Sequence, residues 1–372
     1  YAEATVNHQT LPAKPEDITP AWLTETLRQA GVIDASVVTD IIAEPMAVGV
    51  GFGGSLARLT VSYDQPANAG SRTIVAKYPT SHGPTRSLIN DMGYYESEVR
   101  FYQEMAQGNS IRTPQCYFAA FNPADGNFLL LLEDLSHLRT QDQLAGCSLE
   151  DVETVIKALG QFHARNWNIS ANSGLEWAPT FGARAEWAQS IFPRAWGAFQ
   201  RKAPEIIPES LMTLASLITP HVAGIILRLA EPPITVRHGD VRLDNLFFDS
   251  SGDDAGVVAI DWQLVGACRG TYDFAYFAGM SLTTEMRKQH LDELLGLYQE
   301  TLSESGVSGY TLNDCFEDYG YTLLYLILFL AVAGSTLEME STRGQLLAQA
   351  LTERLADALT EIDAPALLAK LD

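Results

Sequence analysis

The stretch Val236-Arg237-His238-Gly239-Asp240-Val241-Arg242-Leu243-Asp244-Asn245-Leu246-Phe247-Phe248 constrains the fold of this chain more than any other. A short β-forming run, Thr235-Val236-Arg237, leads into a polar turn, and a second run, Asn245 to Asp249, leaves it. A third, Val257 to Ile260, ends directly in Asp261-Trp262-Gln263. The segments around this island carry apolar residues at helical spacing. Strands that end in Asp240, Asn245 and Asp261 place three polar side chains on short loops held by rigid elements. Asp and Asn are also common turn residues, so any one of them alone would be read as local turn chemistry. The pair followed by a third carboxylate asks for more than a turn.

The length, 372 residues, suggests two domains or lobes. Hydrophobic residues make up 47% and charged ones 19%, the composition of a folded globular chain. With 46 acidic against 24 basic side chains the formal charge is −22, which argues against nucleic acid or an anionic membrane as partner. That charge leaves room for cationic small molecules. Cys116, Cys147, Cys268 and Cys315 are scattered without CxxC pairing, so they read as reduced thiols rather than a zinc site or a disulfide framework. No basic segment followed by an apolar one opens the chain, and the expected location is the cytoplasm. The longest apolar run, Tyr321 to Ala333, is shorter than the roughly 20 residues of a bilayer span, so no membrane span is expected.

Along the chain, Thr19-Pro20-Ala21-Trp22-Leu23 closing at Gly31 predicts a capped helix. Strands are expected over Ser55–Tyr63 and Thr73–Tyr78, and a helix over Tyr94–Gln107. Gln115–Asn122 and Asn127–Leu132 flank Asp125-Gly126 and predict a hairpin. After Glu133 helices dominate: Leu149, Val152, Ile156, Leu159, Phe162 and His163 share one face, and Glu209–Leu229 and everything beyond Thr283 read as helix. A mainly β N-terminal lobe therefore precedes a helical lobe with a small inserted hairpin, the boundary falling near Glu133 to Ser136.

Phosphoryl transfer asks for the parts the island supplies: a carboxylate to position the attacking hydroxyl and accept its proton, and an amide and second carboxylate for Mg²⁺. Protein kinases write them as HRDxxxxN followed by DFG. Here they read His238-Gly239-Asp240, four residues, Asn245, then Asp261-Trp262-Gln263. The HGDxxxxN and IDWQ pair resembles the aminoglycoside phosphotransferase and choline kinase superfamily. Leu132-Glu133-Asp134-Leu135-Ser136, Gln161-Phe162-His163-Ala164 and the run Tyr272-Asp273-Phe274-Ala275-Tyr276-Phe277 are more similar to its ecdysteroid-kinase-like branch. The resemblance implies an α+β, bilobal protein-kinase-like fold. Residues 1–135 would form a small β-rich nucleotide-binding lobe, and residues 136–372 a larger, mostly helical catalytic and acceptor-binding lobe.

It also implies roles. Asp240 would be the catalytic base, Asn245 and Asp261 the Mg²⁺ ligands, and Lys77 the cation on the α and β phosphates of ATP. The glycine-rich Gly49-Val50-Gly51-Phe52-Gly53-Gly54-Ser55 would cover the nucleotide, with Gly53, Gly54 and Ser55 closest to its phosphates. Glu98, preferred over Glu96, would orient Lys77. Glu133 and Leu135 would offer backbone groups to adenine at the hinge. His163 is expected to be structural. Trp167, Trp177, Trp187 and Trp196 would either wall an acceptor site or simply pack.

Gly239 stands where protein kinases have the Arg of HRD, and only eleven residues separate Asp261 from Asp273. That leaves little room for a peptide-binding activation segment, so the acceptor is expected to be a small hydroxylated molecule. The function expected is an ATP-dependent small-molecule O-phosphotransferase. The alternative is a pseudokinase that binds a nucleotide or ligand without transfer. The oligomeric state is open.

Overall fold

The computed structural model describes residues 11–46, 53–65, 70–169, 175, 177–249, 256–336 and 342–371. Two compact units emerge, one of Tyr1–Gly108 with Thr113–His137, the other of Asn109–Arg112 with Leu138–Asp372. The first holds α1 (Pro20–Gln29), β1 (Val38–Met46), β2 (Gly54–Tyr63), β3 (Thr73–Pro79), α2 (Gly83–Asp91), α3 (Tyr94–Glu104), β4 (Cys116–Asn122) and β5 (Asn127–Glu133). Its strands form one antiparallel sheet in the order β1-β2-β3-β5-β4. The start of α1 is capped as expected: Pro20 opens the helix and the Thr19 hydroxyl accepts the Trp22 N–H.

Successive side chains on a strand point to opposite faces, and that alternation sorts the sheet. Leu59, Val61, Ile74, Ala76, Leu129 and Leu131 go to one side, into a core with Leu23 and Leu27 of α1. Each such leucine or isoleucine contributes about 1.5–3 kcal/mol when fully buried. Lys77 follows Ala76 and so faces the other side, where Tyr95 of α3 stacks on Phe128 of β5 at 4.5 Å. The register that buries one face of β3 thus turns a lysine toward α3.

The second unit runs β6 (Arg139–Thr140), α4 (Leu149–Arg165), α5 (Ala185–Lys202), α6 (Glu209–Ile218), α7 (Val222–Leu229), β7 (Thr235–Arg237), β8 (Leu246–Asp249), β9 (Gly256–Ala259) and β10 (Gly266–Cys268). It closes with α8 (Thr271–Met280), α9 (Thr284–Glu304), α10 (Leu312–Thr336), α11 (Thr342–Ala358) and α12 (Ala364–Leu368). Every residue of α8 is buried, which explains why it shows no amphipathic stripe.

Two sequence expectations need correction. Glu209–Leu229 is not one helix: Thr219-Pro220-His221 forms a 3-10 turn between α6 and α7, because proline lacks the N–H an α-helix interior uses. The β island is two separate pieces: β8 and β9 form the hairpin with β6 at its edge, whereas β7 pairs with β10. By length and composition two segments, Glu209–Leu229 and Leu312–Ser335, would suffice to cross a membrane. The first is interrupted at Pro220, and the second is mostly buried, as a core helix is.

Candidate functional site

In the first unit, Lys77 Nζ lies 2.7 Å from Glu98 Oε1, and both side chains are buried. Glu98 sits on the inner face of α3, while Glu96, two residues earlier, is exposed and pairs with Arg100 at 3.6 Å. β2 runs antiparallel to β3 with Leu56 opposite Lys77, Ser55 opposite Tyr78 and Gly54 opposite Pro79. A Cβ on Gly54 would stand 3.1 Å from Lys77 Cε and 3.4 Å from Tyr78 O, so glycine lets the strand lie close over the lysine stem. Gly53, just before it, is buried. The rest of the glycine-rich run, Gly49 to Phe52, lies outside the described residues.

At the end of β5, Glu133 donates its N–H to Gln115 O at 2.8 Å and its carboxylate accepts the Gln115 N–H at 3.1 Å. Asp134 takes both a 2.8 Å bond from Arg58 Nε and the Ser136 N–H at 3.0 Å. Burial pushes its carboxyl up, but these donors outweigh burial and hold it below the ordinary carboxylate range. Leu135, between them, is buried.

In the second unit the loop after β7 turns at Gly239, whose φ is +93°. A Cβ there would lie 2.5 Å from Leu264 O, so neither the angle nor the space admits another residue. Asp273, in the first turn of α8, pins this turn: it accepts the N–H of His238 at 2.6 Å and of Gly239 at 2.8 Å. His163 Nε2 adds a third bond at 3.1 Å, and Tyr298 OH backs His163 Nδ1 at 2.7 Å. Burial raises the Asp273 carboxyl, but the hydrogen bond and charge of His163, the charge of His238 and the Gly239 N–H bring it below its ordinary value. His163 is therefore structural, bound to side chains at both ring nitrogens.

Asp240 stands at the end of that turn with three donors around it. Tyr276 OH donates to Oδ1 at 2.6 Å, Asn245 Nδ2 to Oδ2 at 2.9 Å, and Arg242 Nε lies 3.4 Å from Oδ2. Burial, followed by the Asp240 charge, pushes the Tyr276 phenol well above its ordinary value, so it stays a donor. Asn245 also spans back to Asp240 O at 3.0 Å, which leaves its carbonyl oxygen as the end a cation can use.

His238 ties this loop to the next strand. Its Nε2 donates to Ile260 O at 2.9 Å, its Nδ1 accepts the Asp240 N–H at 3.2 Å, and its ring lies 4.4 Å from that of Trp262. The Ile260 N–H in turn donates to Asn245 O at 3.0 Å, so Asn245 and the Asp261 end of β9 are neighbours. Asp261 itself has φ +65°, a left-handed conformation that costs a non-glycine residue roughly 1–2 kcal/mol.

Among the described residues no three His, Cys, Asp or Glu side chains gather as a metal cage. Asn245 and Asp261 instead offer oxygen donors from adjacent strand ends. That pair suits Mg²⁺, which keeps several waters and takes phosphate oxygens rather than a full protein shell. From Asp261 the chain makes the 3-10 turn Trp262–Leu264, adds β10 against β7 and enters α8 at once, with no inserted segment.

The model of the ecdysteroid kinase-like family matches residues 48–307. The chain belongs to that family. Its fold is protein-kinase-like. A choline kinase from Cryptosporidium parvum Iowa II superposes with a TM-score of 0.56 at 12% identity, covering 89% of this chain and 92% of that one. Amicoumacin kinase in complex with AMP-PNP, Ca²⁺ and its ligand gives 0.52 at 12% identity, with coverage of 92% and 96%. The GDP complex of aminoglycoside 2'-phosphotransferase-IIIa gives 0.52 at 13%, with coverage of 91% and 100%. No curated protein sequence matches the chain significantly. At such identities these structures speak for the fold of this ecdysteroid kinase-like chain.

The tryptophans do not form one wall. Trp196 is buried between Phe192 and Phe199, Trp187 is 43% exposed, and Trp167 packs edge-on against Tyr310 at 5.0 Å. Sequence reasoning assigned no role to Asp273, Tyr276 or Arg242. Asp273 and Tyr276 lie in a run quoted only for its resemblance, and Arg242 lies inside the motif itself. All four cysteines are free thiols, and burial pushes Cys116, Cys147 and Cys315 up to about 12.

Proposed function

We propose that this protein transfers the γ-phosphoryl group of ATP to a hydroxyl of a small acceptor. The observation that carries the reading is Asp240, a half-buried carboxylate on a glycine turn, held by Asn245 and Tyr276 beside the strand that ends in Asp261. Residues 1–135 serve as the nucleotide-binding lobe, residues 136–372 as the catalytic and acceptor lobe.

Asp240 orients the acceptor hydroxyl and takes its proton as the oxygen attacks the γ-phosphorus. The new O–P bond forms as the bond from the γ-phosphorus to the β,γ-bridging oxygen breaks, and ADP leaves. Lys77, fixed by Glu98, steadies the α and β phosphates, with Gly53, Gly54 and Ser55 beside them. Backbone groups of Glu133 and Leu135 receive the adenine. Asn245 and Asp261 hold Mg²⁺, which when bound neutralises charge on the phosphates. Positioning and charge neutralisation account for most of the rate enhancement. The short path from Asp261 to α8 supports a small acceptor over a peptide. Reduced thiols and an ATP donor fit a cytoplasmic location.

The test is ADP release from MgATP across alcohols, sterols, sugars, amino alcohols and aminoglycosides, with Asp240→Ala as the blank. Turnover that vanishes in the blank supports transfer. MgATP binding with no turnover on any acceptor favours a pseudokinase.

A further inference from the structure

Among the described residues most buried cations come with carboxylates, and Arg354 instead donates to the backbone carbonyls of Gln143, Leu144, Met280 and Ser281. Lys77 has Glu98, Arg287 has Asp357 and Glu361, Arg228 has Glu317 and Asp318, and Arg269 has Asp318. Arg237 does not follow the pattern. Its guanidinium lies between two rings, with Cζ 4.7 Å from the centroid of Phe181 and 4.4 Å from that of Tyr272. The rings cover its faces, while its N–H groups radiate from the edge. Among the described residues no carboxylate pairs with it, and its Nε is buried without a hydrogen-bond partner.

A desolvated guanidinium with no carboxylate in hydrogen-bond contact is less favourable than a paired one unless a ligand supplies the partner, and the Asp273 charge reaches Arg237 only through space. The nearest candidate, Asp273, already receives the N–H groups of His238 and Gly239 and the ring of His163. Arg237 lies deep in the second unit yet keeps partial solvent access, as do Asp240, Tyr325 and Phe329. It therefore keeps an edge open to solvent instead of filling a core.

That edge lies beside the Asp240 turn. Arg237 Nη1 would stand 3.1 Å from a Cβ on Gly239, so the guanidinium lies against the glycine turn. Tyr272 is followed one helical turn later by Tyr276, with ring centroids 6.3 Å apart, and the Tyr276 hydroxyl is on Asp240. From α10, Tyr325 packs 4.7 Å from Phe181 and Phe329 packs 5.4 Å from Tyr276.

We propose that the acceptor is an anion: an alcohol carrying a carboxylate or phosphate, whose charged group binds Arg237 and whose apolar body lies against Tyr325 and Phe329. This rests on the reading of Asp240 as the group that receives the acceptor hydroxyl. Net charge of −22 favours cations at long range, but screening confines that field to about a Debye length, roughly 8 Å at physiological salt. At that edge the unpaired guanidinium decides. Arg242 offsets the charge of Asp240 beside it.

Calorimetric titration without nucleotide tests the site, using 4-(hydroxymethyl)benzoate, 4-(hydroxymethyl)phenyl phosphate and neutral 4-(hydroxymethyl)benzamide. At least one anion should bind about tenfold or more tighter than the amide, as a charge-assisted guanidinium bond implies. The two anions together tell carboxylate from phosphate recognition. Arg237→Met, which keeps the apolar stem, should erase the preference, and Arg237→Lys should keep part of it. Equal binding of all three probes, binding of neither anion, or a preference that survives Arg237→Met overturns the proposal. If Arg237→Met does not fold, the wild-type ratio and Arg237→Lys still decide. Adding MgATP separates the two readings. Anion binding through Arg237 with no transfer sinks the phosphotransferase and leaves the anion site; equal transfer to the amide does the reverse.

Discussion

Asp273 Oδ1 accepts the Gly239 N–H at 2.8 Å, joining the first turn of α8 to a turn 34 residues earlier in the chain. The same carboxylate takes the His238 N–H, so one buried side chain sets the backbone on which Asp240 stands. Asp273→Ala leaves two buried N–H groups without acceptors, each costing about 1–3 kcal/mol. Denaturant unfolding should show a loss of about 3–5 kcal/mol, as for a broken buried pair. Turnover of the folded fraction should fall by about 100-fold, since small misplacements of a catalytic group have effects of that size. Wild-type turnover in Asp273→Ala would remove it from any positioning role.

The same contact has a pH signature. The Asp273 carboxyl lies below its ordinary value of about 3.9 in the folded chain. A depressed carboxyl contributes stability that is fully present above the unfolded value and is lost as pH falls through the folded one. Unfolding free energy should therefore hold between pH 7 and about pH 5 on this account and decline below about pH 4. Asp273→Asn should flatten that decline; an unchanged acid limb would assign it to other carboxylates.

Gly239→Ala combines a φ of +93° with a Cβ 2.5 Å from Leu264 O, a backbone atom that cannot step aside. The loop must shift, and so must Asp240. Loss of stability of more than about 2 kcal/mol is expected, since strain of about 1–3 kcal/mol adds to the clash. Thermal unfolding and turnover together give the answer. Native values for both would show that the turn tolerates a side chain.

Lys77 and Glu98 should prove strongly coupled. Removing one charge takes the 2.7 Å partner from the other, so Lys77→Met and Glu98→Leu should each cost about 3–5 kcal/mol. The double variant should be no worse than either single. A double-mutant cycle by urea unfolding measures this, and simple additivity would contradict the buried pair. MgATP affinity should fall in every variant lacking Lys77.

Tyr276→Phe deletes a hydroxyl while keeping the ring against Phe329. Asp240 loses a 2.6 Å donor but not its place. Turnover should fall about tenfold, the worth of one hydrogen bond to a charged group, with KM for MgATP unchanged. A change in KM alone would show that the hydroxyl serves nucleotide binding instead.

Much of the framework is legible in local sequence. The Thr19-Pro20 cap, the Asp125-Gly126 hairpin and the β-rich run Thr73–Tyr78 are short-range signals, and α1, β4–β5 and β3 follow them. Pro220 was equally visible, yet the apolar run around it hid the break between α6 and α7. The pairing of β7 with β10 escaped because Gly266-Ala267-Cys268 has almost no strand character and is held by its partner.

By itself, then, the sequence determined which residues could carry chemistry: Lys77 at a strand end, Asp240 and Asn245 five apart, and Asp261 closing an apolar run. For Asp240, Asn245 and Asp261 this follows from residue type and spacing, which are local properties, while Lys77 was marked out by the family resemblance. The resemblance preferred Glu98 over Glu96 as the partner of Lys77, and the tertiary structure decided it, since both lie on one helix and packing chooses the inward face. It also decided that Asp273 and Tyr276 hold the Asp240 turn, and that Arg237 stands between two rings with no carboxylate paired to it among the described residues. Hydrogen bonds and charges act over a few ångströms of space, and separations of 34 or 36 residues along the chain leave no trace of that proximity in the order of the letters.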